Sequence, residues 1–301
     1  MAYETFIERN FEEKSLKIIK QADAICREYQ SQGYTLTLRQ LYYQFVARGW
    51  IPNKQTEYNK LGTLISNARL AGLIDWSVIE DRTRNLEKLA SWDSPADILT
   101  ACANQFRYDR WDTQDTYCEV WIEKEALVGV IQRVCDEYRV PYFACRGYSS
   151  QSEQYSAGKR FARLHDEGKH VVIFHLGDHD PSGLDMTRDN LDRLRMFVKA
   201  DENDDLWHPE VRRLALNMDQ VRQYNPPPNP AKQTDSRFEG YISKFGEQSW
   251  ELDALNPTII GELLRRNITS LIDEGAWEQA KEREQKARDQ LLSVANNWEQ
   301  S

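Results

Sequence analysis

The stretch His170-Val-Val-Ile-Phe-His-Leu-Gly-Asp-His-Asp-Pro-Ser-Gly183 decides the fold. Its apolar run up to Leu176 has the length and β-branched content of a buried strand, and Asp180-Pro181 has the form of a helix start. Two further β-rich runs lie upstream, YCEVWI (117–122) and VPYFAC (140–145), and another apolar run, VRRLALN (211–217), follows. Helical patterns separate them at 124–138, 152–168 and 181–197. Strands alternating with helices predict an α/β unit with a central, largely parallel sheet flanked by helices. Functional residues of such a sheet collect beyond the carboxyl ends of its strands.

Ahead of this unit, three helices are expected. The first spans Glu8 to Gln30, with Leu16, Ile19, Ala22 and Cys26 on one stripe and Gly33 as its stop. The second opens at a Thr37-Leu-Arg-Gln40 capping box and runs to Gly49; the third covers Glu57 to Leu70. A turn and extended segment, GLIDWSVIEDRTR (72–84), completes an outline shared by winged-helix units, bundles and capping subdomains. Residues 91–115 show little periodicity. The resulting division is 1–95, a linker at 96–115, a sheet unit at 116–270 and a C-terminal helix at 271–301, whose amphipathic pattern fits packing or a dimer contact.

The 301 residues are 40% hydrophobic and 29% charged, which excludes disordered and collagen-like chains. No apolar run approaches the roughly 20 residues of a membrane span, and the acidic N-terminus is unlike a signal peptide. A soluble, cytoplasmic protein is expected. The five cysteines include no CxxC pair, which argues against a disulfide framework and a thiolate zinc site. A net charge of −9 speaks softly against nucleic acid, although an acidic metal pocket would itself contribute to that sum.

Asp178 and Asp180 lie two apart, so an extended segment turns both carboxylates to one side and His179 to the other. Glu123 ends a neighbouring strand. Three converging carboxylates repel unless a cation lies between them, and an oxygen-only set suits Mg²⁺. The plainer alternative is that Asp180 or Asp178 caps the helix beginning at Pro181. His175 and His179 lack ligand geometry on a strand and turn. Glu119, Glu125 and Asp185 are candidates for support of the metal or for solvated surface, and Glu251 and Asp253 for approach to the site. On the second helix Tyr42 falls on the core face with Leu38, Leu41 and Phe45. Tyr43 falls about 100° further round, where its hydroxyl is expected to be exposed beside Arg39.

Arg39-Gln-Leu-Tyr-Tyr43, Ile122-Glu-Lys124 and Asp178-His-Asp-Pro-Ser-Gly183 together resemble the A subunit of type IIB topoisomerases, its meiotic double-strand-break relative and their short stand-alone homologues. Trp250-Glu-Leu-Asp-Ala-Leu255, following Asn225-Pro-Pro-Pro-Asn-Pro-Ala231, is similar to the end of that family's Toprim domain. The resemblance spans about Thr35 to Leu264. It implies an N-terminal winged-helix domain and a Toprim domain. It further implies Tyr43 as the nucleophile toward DNA, Arg39 as the holder of the scissile phosphate, and Glu123, Asp178 and Asp180 as Mg²⁺ ligands, with Glu123 also counted among the catalytic groups. A homodimer on double-stranded DNA, near the nucleoid, making 5′-phosphotyrosyl breaks follows from it. The chain is shorter at its N-terminus than the topoisomerase subunit and carries no GxxxxGK[ST] loop, so ATP-driven strand passage would need a separate ATPase or regulatory partner.

Two other functions compete. A hydrolytic Toprim nuclease would use water and dispense with Tyr43. A non-catalytic DNA-binding protein would lay the third helix in the major groove, with Asn59, Lys60, Asn67 and Arg69 as contacts.

Overall fold

The computed structural model describes residues 3–80, 89, 91–198 and 207–298. Helix α1 (Glu13–Ser31) starts five residues later than expected from the sequence, and Phe11 in the stretch before it packs on the first core. Helix α2 (Leu38–Ala47) opens with the full Thr37–Gln40 capping box, and α3 (Gln55–Leu70) follows. Ile19, Ala22, Ile25, Leu41, Phe45, Leu61, Ile65 and Ala68 close one core among the three. Among the described residues, the segment after α3 forms one parallel bridge, between Ile79 and Leu36; its last residues, 81–84, lie outside the described residues.

The stretch read as a linker carries structure. Ser94 caps α4 (Pro95–Gln105), with Pro95 in the first turn, and a 3₁₀ turn covers Arg110–Thr113. Its short apolar positions leave no clear period in sequence because α4 borrows its partner from the far end of the chain, the C-terminal helix (Glu274–Trp298). Glu284 of that helix is buried and binds Arg110 and Arg139, both at 3.0 Å.

Strands β1 (Thr116–Ile122), β2 (Tyr142–Ala144), β3 (His170–Leu176) and β4 (Glu210–Ala215) form an all-parallel sheet in the order β2-β1-β3-β4. Alternation along the strands supplies two apolar faces. Cys118, Val120, Ile122, Val172 and Phe174 meet α5 (Val128–Tyr138) and a later helix, Pro257–Thr269. Trp121, Val171 and Ile173 meet α6 (Gln151–Asp166) and α7 (Pro181–Val198). Sheets covered on both faces are the usual setting for parallel strands. Among the described residues no helix is long and apolar enough to cross a membrane.

Helices α6 and α7 touch at Gly158, where a Cβ would lie 2.5 Å from Phe197 Cβ and 3.0 Å from its carbonyl carbon. Gly158→Ala is expected to destabilise the fold by about 2 kcal/mol through overpacking. A lowered urea midpoint with an unchanged slope would register it.

Candidate functional site

Register brings the acidic groups together. Ile122 and Leu176 are directly paired at the ends of β1 and β3, so Glu123 and the Gly177-Asp178 turn leave the sheet side by side. Glu123 Oε2 accepts the Asp178 N–H at 2.8 Å. Gly183 permits the turn, since a Cβ there would come 2.2 Å from the Asp178 carbonyl oxygen. His179 pairs with Trp250 through two backbone hydrogen bonds of 2.8 and 3.0 Å, so the segment is extended. The His179 ring is buried against Tyr241, Phe245 and Trp250, while Asp178 and Asp180 both line a cleft of about 270 Å³. Capping also holds: Asp180 Oδ1 accepts from the Gly183 N–H at 2.6 Å.

Helix α2 forms the opposite wall. It packs on the 3₁₀ turn Leu252–Ala254 as well as on its own unit, and this second contact buries Tyr43. Its side is not the exposed one that helical winding suggested: Tyr43 is 2% accessible and Tyr42 4%. Tyr42 donates to Asn53 Oδ1 at 3.0 Å and accepts the Lys54 N–H at 2.8 Å, a structural role. Tyr43 lines the cleft with Arg39, whose guanidinium lies 5.7 Å from the phenol ring centre. Burial pushes the Tyr43 hydroxyl up to about 12, with Asp253 and Glu251 adding to the rise and Arg39 opposing it.

Between the walls runs a bar of ion pairs. Lys124 Nζ contacts Glu251 at 2.9 Å and Asp178 and Asp253 at 3.0 Å each. Arg39 binds Asp253 at 2.9 Å and also Glu251. Beyond the bar lies a second cleft of about 490 Å³, lined by Glu123, Lys124, Arg146 and Asp253. Asp178, Glu251, Arg39 and Lys232 face both clefts; Tyr43 lines only the first and Glu123 only the second. Under the Asp178 turn Arg213 donates to the backbone carbonyls of Gly177, at 3.0 Å, and of Asp178, at 2.5 Å.

Burial raises the Glu123 carboxyl. It also pushes Asp178 up to about 7, with Lys124 opposing and Glu123 and Asp253 reinforcing the shift. Burial works against ionisation of Glu251 too, but Lys124 and Arg39 outweigh it and hold that carboxyl near 2. Among the described residues no three His, Cys, Asp or Glu side chains already stand in metal-holding geometry, and Lys124 takes a place between the carboxylates. The donor set nevertheless fits a hard divalent ion. Five carboxylates (Glu123, Asp178, Asp180, Glu251, Asp253) face four cations (Lys124, Arg39, Arg213, Lys232), a formal excess of one negative charge. Asp180 Oδ2 and Glu123 Oε1 have no hydrogen-bond donor among the described residues.

Glu119 is a buried partner of Arg160, at 2.8 Å, on the α6 face of the sheet; Glu125 pairs with Arg146, and Asp185 with Arg188 and Arg237. Glu125 and Arg146 line the second cleft beside Glu123, whereas Glu119 and Asp185 line neither cleft. His175 binds Thr187 at 2.7 Å, apart from His179. On α3, Lys60 pairs with Glu57 at 2.7 Å and Asn67 is half-buried. Arg69 is spent on Trp76, donating to its carbonyl at 2.8 Å and stacking on its ring at 4.4 Å, so it is not a free groove contact. None of these three lines either cleft. Lys124, Arg213 and Asn229, which lines the first cleft and donates to Glu251 Oε1 at 3.2 Å, were not singled out from sequence; only the position of Lys124, directly after a strand-end Glu, carried any signal. A scan of protein-family models finds no match to the chain, and a search of curated proteins finds none.

The Glu251 shift has a pH signature. A carboxyl held near 2 in the fold and near 4.3 when unfolded contributes stability that is complete above about pH 5 and is lost as pH falls toward 2. Glu251→Gln lacks this contribution, so its stability deficit against the parent chain should shrink from pH 5 to pH 2 in urea titrations. A deficit that is constant with pH would contradict the pairing.

Proposed function

We propose that this chain is an Mg²⁺-dependent DNA-cleaving enzyme of the topoisomerase A-subunit kind, with a winged-helix-like N-terminal unit, a Toprim sheet unit and Tyr43 as nucleophile. The observation that carries the reading is the cleft itself, where Tyr43 and Arg39 on α2 face Asp178 and Asp180 at the strand ends. The tyrosine oxygen would bond to phosphorus as the bond to the 3′ oxygen breaks. The phenolic proton would pass to that leaving oxygen, giving a 5′-phosphotyrosyl link and a free 3′ hydroxyl. Arg39 would hold the phosphate through its forked N–H donors. Glu123, Asp178 and Asp180 would hold Mg²⁺, which when bound supplies charge stabilisation at the phosphate and the leaving oxygen.

Action as a homodimer on double-stranded DNA fits one feature of the geometry. Tyr43 and Glu123 line different clefts within one chain. Resealing driven by ATP would call on a separate ATPase partner.

One observation favours a hydrolytic nuclease instead: Tyr43 is buried, and its hydroxyl is pushed up to about 12, away from the phenolate that attack requires. The two readings separate in one assay. Purified protein is incubated with end-labelled supercoiled plasmid and Mg²⁺, then denatured with and without protease. Label shifted with the protein, and reduced about 10³-fold or more in both Tyr43→Phe and Asp178→Ala, is the expected result. Free-ended cuts that survive Tyr43→Phe and vanish in Asp178→Ala would establish hydrolysis.

A further inference from the structure

We propose that Lys124 is a second phosphate-contacting residue of this site, positioned by Asp253, and that Glu251 stands where a phosphodiester would bind. The inference rests on the reading of the cleft as a DNA-cleaving site. The Lys124 ammonium donates to Glu251 at 2.9 Å and Asp253 at 3.0 Å and forms an ion pair with Asp178 at 3.0 Å. Glu251 Oε2 bridges this ammonium to the Arg39 guanidinium, and Asp253 bridges the same two cations through its two oxygens. Two oxygens of one anion spanning an ammonium and a guanidinium is the arrangement that the non-bridging oxygens of a phosphodiester would adopt.

The two carboxylates differ in how readily they yield. The Asp253 side chain is 2% accessible, so leaving its partners would strand a buried charge. That of Glu251 is 25% accessible and opens on both clefts. A phosphodiester replacing Glu251 exchanges one negative charge for another and leaves the balance around Asp178 unchanged. Lys232 is exposed, faces both clefts and has no carboxylate partner among the described residues, so it draws an anion toward this position.

The test is fluorescence anisotropy of a labelled duplex of about 20 base pairs, in EDTA to prevent cleavage, over a range of salt concentrations. It compares the parent chain, Lys124→Gln, Lys124→Arg, Glu251→Gln and the Lys124→Gln/Glu251→Gln double variant, each checked for folding by thermal melting. Loss of one phosphate contact lowers the slope of log affinity on log salt by about 0.9. Lys124→Gln should show that decrease, and Lys124→Arg should restore the slope. Glu251→Gln should bind about tenfold tighter by removing the competing anion, a gain that the double variant loses. If the parent chain binds and Lys124→Gln keeps its slope, the assignment is overturned while the DNA reading stands. If Lys124→Gln does not fold, absence of tightening in Glu251→Gln overturns it equally. A folded parent chain that binds no duplex at any salt overturns both.

Discussion

Glu251 and Asp253 each bind a lysine from the sheet unit and an arginine from helix α2, and this shared clamp is the constraint on which the site depends. It fixes where α2 lies against the strand ends, and therefore where Tyr43 lies relative to Asp178. Beside it, the two walls of the cleft are joined by the contact of α2 with Leu252–Ala254 and by Asn53, which donates to Asn229 Oδ1 at 2.6 Å and to the Pro228 carbonyl at 3.2 Å. Asp253 is nearly inaccessible, so losing one of its cations would leave charge uncompensated in a low-dielectric setting. The clamp also accounts for the state of Tyr43. The same two carboxylates that position Arg39 add to the burial that keeps the phenol protonated.

Charge explains the rest of the site. The close strand ends force Glu123 beside Asp178, and burial makes both reluctant to ionise. Lys124, Arg39 and Arg213 compensate only partly. An excess of formal negative charge around oxygen donors is the condition under which a hard divalent ion binds. Lys124 lies among these carboxylates, 3.0 Å from Asp178.

Much of the fold was legible in sequence because its signals are local. The capping box at Thr37, the runs that became β1 to β4 and the helices between them depend on near neighbours in the chain. Glu123, Asp178 and Asp180 were legible as strand-end carboxylates for the same reason. What escaped reading depends on distant partners. Helix α4 is stabilised by the C-terminal helix, so a 96–115 linker was inferred from a pattern whose other half lies far along the chain. Tyr43 was expected at the surface because winding α2 reveals one buried face, whereas the helix has two once Leu252–Ala254 packs on it. Arg69 looked free for a groove until Trp76 folded beneath it.

The most direct test of the central claim, that these carboxylates are a divalent-cation site held short of positive charge, is calorimetric titration of Mg²⁺ or Mn²⁺ into the parent chain and into Asp178→Asn. The account predicts saturable binding by the parent chain that is lost in the variant. Binding that is absent from the parent chain, or unchanged in Asp178→Asn, would contradict it.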